Sequence, residues 1–356
     1  MRVLVRLFWI APLAAFAAGC SGTGGERQLP AAPSEAANLV SLTAPTPVEP
    51  GDDVMVNTLR PTLRVRNATS SVAGSRMYEF QIADNPSFAV VANQPGAAVV
   101  TVTQAGIPEG ADGTTAYTVP VDLLPANRYH WRARAIQGAS VGPWSQGARF
   151  RTKVESYKSG NQLFDILSNG RTVADEIRSI AYEREGEPNP GAKLSGNSAY
   201  LLYRISPLPE GEVSMIVRRV KPAERGVFFS MQDGKGDFDS NAFRVRVERS
   251  GSSRLAFQFV SRGDVRPPVE TDVAWEDHRP YYFKLEWRGG TARLRVYFGE
   301  NDGAPLVADV SSSYAAPYTP ASHTVVVGSL AGRTISDIRV SRVYVGPGPR
   351  LVALHD

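Results

Sequence analysis

The chain has one cysteine, Cys20, in 356 residues, and four histidines, His130, His278, His323 and His355. A single thiol excludes an intramolecular disulfide framework, so any folded part must be held by its apolar core. No two histidines stand at metal-ligand spacing and no second cysteine can assist them, which leaves zinc without a ligand set. There is no block of lysine and arginine: removing the two arginines of the first nineteen residues leaves 37 basic against 35 acidic side chains. Nucleic acid is therefore not an expected partner. Past residue 20 there is no apolar run of membrane-spanning length. No stretch shows sustained helical periodicity, and no Gly-x-Ser-x-Gly elbow is present.

What is present begins at the amino terminus. Arg2 and Arg6 precede an apolar run from Leu7 to Ala18, too short to cross a bilayer, and the small residues Ala17, Ala18 and Gly19 lead into Cys20. The pattern resembles the lipobox of bacterial lipoprotein precursors, with Ala17 where that family usually carries leucine. The resemblance implies cleavage before Cys20, lipid attachment there, and a membrane partner through the anchor. Residues 1–19 are then a signal peptide. Residues 20–42, rich in Gly, Ala, Ser and Pro, lack the apolar surface to repay ordering and read as a flexible tether. Ser21 after the cysteine goes, in enteric lipoproteins, with export to the outer membrane, the expected location in the cell envelope.

The rest reads as all-β. Gly and Pro number 32 and 26, and they bound short runs rich in Val, Thr, Tyr and Phe. In residues 43–152, Tyr78, Phe80 and Ile82 share one strand face, and Tyr129, Trp131, Ala133 and Ala135 alternate with His130, Arg132 and Arg134. Leu124-Pro-Ala-Asn-Arg-Tyr129 and Pro143-Trp144-Ser145 resemble the tyrosine-corner approach and the motif before the last strand of a fibronectin type III domain. That resemblance implies a two-sheet sandwich acting as a spacer.

Residues 153–351 carry strand patterns at regular intervals. Phe243, Val245 and Val247 oppose Arg244 and Arg246; Leu255, Phe257 and Phe259 oppose Gln258; Tyr281, Phe283, Leu285 and Trp287 oppose Tyr282, Lys284 and Glu286; Leu294 and Val296 oppose Arg293, Arg295 and Tyr297. The segment 172–181 fits either a helical turn or a strand. Glu270, Asp272, Glu276 and Asp277 sit in a Pro-flanked loop and, with Glu286, read as a solvated loop or a cross-strand ion pair rather than as a catalytic set. The pattern resembles the concanavalin A-like, laminin G-like jelly roll, whose closing strand, here Ile335 to Val345, pairs near the opening segment around Phe164. The fold class expected is thus all-β: a fibronectin type III-like sandwich followed by a concanavalin A-like jelly-roll sandwich.

Two groups of residues could carry function. Arg244, Arg246, Gln258, Tyr282, Lys284, Glu286, Arg293, Arg295 and Tyr297 would form one basic, aromatic-edged ligand face if their strands are neighbours, offering the hydrogen-bond forks and stacking surfaces that sugars need. Asp233, Asp237, Asp239 and Asn241 supply hard oxygens in a glycine-containing loop. That loop has two readings, a calcium site or a hairpin turn between flanking strands. No other cofactor is expected. The reading adopted is a membrane-anchored envelope lipoprotein that binds carbohydrate, or another envelope protein, without catalysis. A jelly-roll polysaccharide lyase or glycoside hydrolase is the alternative, and a structural component without a ligand is the third class.

Cys20→Ser is expected to abolish incorporation of labelled palmitate and to shift the protein out of the detergent phase in a phase-partition assay. Equal labelling of both forms would rule out the anchor.

Overall fold

The structure, a computed structural model, describes residues 40–88, 102–220, 226–233, 237–250, 252–329 and 334–347. Cys20 and residues 21–39 lie outside them; the last residues expected in the tether, 40–42, instead join the first sandwich, where Leu42 bridges Ser70 and packs in the core. Among the described residues every regular element is a strand.

The first sandwich comprises β1 (Thr46–Glu49), β2 (Val54–Val56), β3 (Thr62–Arg66), β4 (Met77–Ala83), β5 (Val102–Pro108), β6 (Thr114–Thr118), β7 (Arg128–Gln137), β8 (Ser140–Val141) and β9 (Ala148–Thr152). One sheet runs β1-β3-β6 and the other β2-β9-β7-β4-β5, with β8 paired to β7. The β2–β9 pair is parallel and the other pairs are antiparallel. Strict alternation along β7 buries Tyr129, Trp131, Ala133 and Ala135 against Tyr78, Phe80, Ile82 and Phe150. The Leu124 amide donates to the Tyr129 hydroxyl at 3.0 Å, so the buried phenol is satisfied by backbone five residues upstream, as in a tyrosine corner. The opposite face of β7 places the Arg132 guanidinium over the rings of Phe88 and Trp144, 4.2 and 4.5 Å from their centroids.

The second sandwich begins at β10 (Tyr157–Ser159) and continues through β11 (Gln162–Asp165), β12 (Glu176–Arg178), β13 (Ile180–Glu183), β14 (Gly191–Asn197), β15 (Tyr200–Ile205), β16 (Gly211–Arg218), β17 (Gly226–Asp233) and β18 (Asp237–Ser250). It ends with β19 (Ser252–Ser261), β20 (Asp264–Val265), β21 (Val269–Asp272), β22 (Pro280–Arg288), β23 (Thr291–Tyr297), β24 (Leu306–Ser313), β25 (His323–Gly328) and β26 (Thr334–Gly346). Sheet I has the order β10-β11-β26-β16-β22-β23-β24, extended by β14 on β26 and β13 on β14. Sheet II has the order β12-β15-β25-β17-β18-β19, with β20 and β21 both on β19. Chain order crosses between sheets: β15, β16 and β17 lie in II, I and II, and β24, β25 and β26 in I, II and I. This is a jelly-roll arrangement. The closing strand meets the opening one, Phe164 opposite Tyr344.

Between the sheets lies one apolar core. Phe229, Met231, Phe243, Val245, Phe257, Phe259, Val325 and Val327 from sheet II meet Val213, Met215, Phe283, Leu285, Trp287, Leu294, Val340 and Val343 from sheet I. Phe243 and Trp287 touch across the gap, ring centroids 5.1 Å apart. The Leu208 carbonyl, between β15 and β16, accepts from Trp287 Nε1 at 3.1 Å and lies 3.2 Å from His323 Nε2. A carbonyl can only accept, so it fixes the proton of His323 on Nε2. One backbone oxygen thereby ties a side chain of each sheet.

A second buried polar hub is Asp165 at the end of β11. It accepts from Ser156 Oγ at 3.1 Å, the Val173 amide at 3.1 Å and the Tyr203 hydroxyl at 3.0 Å, and from Thr172 Oγ1. Burial pushes its carboxyl above the ordinary range, and these donors only partly offset that. The hub pins the segment whose conformation the sequence leaves open. Residues 172–181 are not helical: β12 and β13 flank Ser179, which takes a positive φ of 53°.

One reading is corrected here. Glu270 and Asp272 belong to strand β21, where Arg254 of β19 contacts them at 3.0 and 3.5 Å. Val269 packs on the core and holds the segment against the sheet. A further tyrosine corner also emerges: the Glu276 amide donates to the Tyr281 hydroxyl at 2.7 Å, again five residues upstream. In both corners a non-glycine residue three positions before the tyrosine has positive φ, Ala126 at 51° and His278 at 64°.

His323 is 1% exposed, and burial pushes its imidazole from 6.5 down to about 4. The unfolded chain therefore takes up a proton first as pH falls. Stability should be lost between about pH 6.5 and pH 4 by roughly 3 kcal/mol, from the 6.5 and about 4 values. Denaturant titrations of native protein and His323→Gln over this range check it, the variant showing a shallower acid loss.

Candidate functional site

Alternation decides which groups leave the core. On sheet II the outward residues form two rows across β25, β17, β18 and β19. One row is Val326, Ser230, Arg244 and Gln258; the other is Thr324, Gln232, Ala242 and Val260. On sheet I the outward rows include Ser214, Lys284, Arg295 and Asp309, next to Glu212, Glu286, Arg293 and Ser311.

The nine residues expected to form one ligand face therefore divide. Arg244, Arg246 and Gln258 stand on strands of sheet II, while Tyr282, Lys284, Glu286, Arg293, Arg295 and Tyr297 stand on sheet I. The reason is geometric. Both sets oppose residues of the same core, so they point away from each other on opposite sides of the sandwich. The Arg246 side chain lies outside the described residues; its backbone pairs with Ala256.

The sheet I set is neutralised internally. Arg293 Nε donates to Asp309 at 2.8 Å, and Arg295 pairs with Glu286. Lys284 reaches Asp302 at 3.0 Å and Glu212 at 3.7 Å. Burial alone would lower the Lys284 ammonium, but Glu212 and Asp302 together hold it above its ordinary value. Tyr282 sits beside Tyr297, ring centroids 6.2 Å apart, and burial pushes its phenol up to about 12. This arrangement reads as a charge-compensated surface.

The sheet II rows have a different chemistry. Arg244 Nε donates to Gln258 Oε1 at 2.7 Å, and Gln258 Nε2 donates to the Arg266 carbonyl at 2.8 Å, so the residue after β20 orients the amide and the amide orients the guanidinium. Gln232 is fully buried, and among the described residues neither its Oε1 nor its Nε2 has a hydrogen-bond partner. A buried amide left unpaired costs about 1–3 kcal/mol. Ser230 and Thr324 flank it on neighbouring positions, both buried. Of the positions in these two rows only Arg244 is partly exposed, and the others are buried. The two rows contain no carboxylate.

Sequence reasoning missed Ser230, Gln232 and Thr324, although the signal was available: they alternate with Phe229, Met231 and Val325. The calcium reading rests on residues only partly described. The side chains of Asp237, Asp239 and Asn241 lie outside the described residues. The backbone pairs Asp233 with Asp237 in a β17–β18 hairpin, and Asp233 Oδ1 accepts from the Ser322 amide at 3.2 Å. Among the described residues no group of three or more His, Cys, Asp or Glu is placed to hold a metal ion.

No family model matches the chain. Human host cell factor 2 is 24% identical over 99 residues, which is 28% of this chain and only 12% of that protein. Among solved structures, the enzymatically active domain of bacteriophage CBA120 tailspike protein 2 covers 55% of this chain and 31% of its own at 15% identity, with a TM-score of 0.35. Lectin II from Ulex europaeus covers 52% of this chain and 92% of its own at 9% identity, with a TM-score of 0.34. Likeness of this degree assigns neither family nor activity. What fold and site define is a class: a two-sandwich all-β protein with a neutral polar row on one jelly-roll face.

Gln232→Leu, close in volume, removes the two unpaired polar atoms and should raise stability by about 1–3 kcal/mol. Chemical denaturation of both forms measures it; a loss of stability would show that the amide is satisfied in solution.

Proposed function

We propose that this protein is a lipid-anchored component of the bacterial cell envelope, directed to the outer membrane, whose jelly roll binds carbohydrate through the outward face of sheet II without chemical turnover. The Arg244 guanidinium carries the reading: it is the partly exposed polar group of the described rows, and Gln258, itself held by the Arg266 carbonyl, orients its planar fork toward the hydroxyls of a ligand. The absence of carboxylates from the described rows favours binding over hydrolysis, which needs a carboxyl pair flanking the scissile bond. The first sandwich serves as the spacer between anchor and binding face.

The test is retention of the protein on a panel of immobilised neutral and acidic polysaccharides, with released reducing ends measured in parallel. Arg244→Ala and Gln258→Ala should each weaken retention about tenfold, the equivalent of one or two lost hydrogen bonds. Arg293→Ala on sheet I should leave it unchanged, and no product should accumulate. Failure of the native protein to bind any polysaccharide, or equal binding by the sheet II variants, would overturn the reading; product release would replace it with catalysis.

A further inference from the structure

The outward side of sheet I holds a cleft of about 320 Å³ lined by Ser168, Glu185, Arg218, His278, Glu300 and Ser341, among others. That volume falls at the lower end of small-molecule sites. Its floor is the Arg218 guanidinium, whose side chain is only 9% exposed. Nη1 donates to Ser341 Oγ at 3.1 Å and to the Pro190 carbonyl at 3.2 Å, while Nη2 donates to the Glu300 carboxylate. The two neutral acceptors fix the guanidinium in place without cancelling its charge. The charge is met by Glu300, which is 39% exposed and belongs to the β23–β24 loop rather than to the sheet.

The loop, residues 298–305, crosses this face as a strap. It places Glu300 on Arg218 and, two residues later, Asp302 on Lys284. An Asn301-centred turn, with the Gly303 amide on Asn301 Oδ1 at 3.0 Å, projects the two acids. A buried guanidinium whose carboxylate partner is borrowed from a half-exposed loop beside a cleft is a site already filled by the protein's own anion.

We propose that this cleft is a second binding site, on the side opposite the sheet II rows, for a small sugar acid. The sugar's carboxylate takes the place of Glu300 on Arg218. Its hydroxyls meet the other lining groups: Ser168 and Ser341 donate or accept, Glu185 accepts, and His278, exposed at the rim beside Asp277, completes the edge. The lining carries the acids Glu185, Glu187 and Glu300 against the cations Arg218 and Arg342, so a single carboxylate on a hydroxylated body matches its mixed charge. The strap gives the site a graded occupancy, because a ligand must displace Glu300 and its apparent affinity falls by the fraction of molecules with the strap in place.

Calorimetric titration of the full chain in detergent with sodium D-glucuronate, and with D-glucose as the uncharged control, tests this. Glucuronate should bind saturably and glucose at least about tenfold more weakly. Glu300→Gln should tighten glucuronate binding about tenfold by removing the resident anion. Arg218→Lys keeps the charge, loses the fork and should weaken it about tenfold. His278→Ala, at an exposed position, should weaken it with no change in melting temperature, and this reads the site even if the Arg218 variant does not fold. Absence of saturable binding in both native protein and Glu300→Gln, equal affinity for glucose and glucuronate, or no gain in Glu300→Gln overturns the proposal. So does loss of glucuronate binding in Arg244→Ala, which would move the ligand to sheet II; unchanged binding there keeps the two faces separate.

Discussion

Contact between Phe243 and Trp287 in the middle of the second sandwich governs what the rest of that domain presents to solvent. Once these two rings face each other, the two-residue period of a strand settles the direction of every side chain on β18 and β22, and pairing carries that decision across both sheets. The lone cysteine lies far from this core in sequence, so no disulfide fixes the sheets. Apolar burial and the shared Leu208 carbonyl do it instead. A one-residue slip in either strand would turn Arg244 or Lys284 into the core, and burying an unpaired charge costs more than any surface contact returns.

The two outward faces that result solve the problem of polar groups differently. Sheet I pairs its cations with carboxylates: Arg293 with Asp309, Arg295 with Glu286, Lys284 with Glu212 and Asp302, and Arg339 with Glu183. Where the cation is buried, as at Lys284 and Arg339, such a pair adds little net stability over apolar residues of the same size, yet breaking it leaves a stranded charge; the exposed Arg293–Asp309 pair contributes little either way. Sheet II instead carries neutral groups along its outward rows, Ser230, Gln232 and Thr324, all buried, beside an Arg244 whose guanidinium is oriented by an amide rather than by a carboxylate.

Much of this was legible in the sequence, and the limit has a physical origin. The inward sets of β18, β19, β22 and β23 follow from alternation alone, and the bond from upstream backbone to Tyr129 was expected from the resemblance of residues 124–129 to a tyrosine corner. Sheet membership was not. The β18 and β22 patterns are alike because both face one core, and nothing in a single strand states which sheet it joins; that depends on crossovers such as β15 to β16 to β17. The condition for gathering the nine polar residues onto one face, that their strands be neighbours, is not met: three stand on strands of sheet II and six on strands of sheet I. The partners of Lys284 and Arg218 were hidden for a related reason, since Asp302 and Glu300 come from a loop with no periodicity to mark it. The Tyr281 corner escaped because its approach, Trp275 to Pro280, shares the geometry of residues 124–128 but little of their composition.

The neutral character of the sheet II rows bears on why such a module would be anchored at all. A row of hydroxyls, amides and one guanidinium exchanges hydrogen bonds with water for hydrogen bonds with ligand, and each exchange leaves only about 0.5–1.5 kcal/mol. A face with a handful of such groups binds one sugar segment weakly. Polysaccharides repeat, and a surface carrying many copies of the module engages many segments together, so the second and later contacts form at high effective concentration. On the proposed reading, a tether ahead of the first sandwich would let neighbouring copies reach one chain without dictating their angle, and the anchor would supply by multiplicity the affinity that Arg244 and the groups beside it do not supply singly.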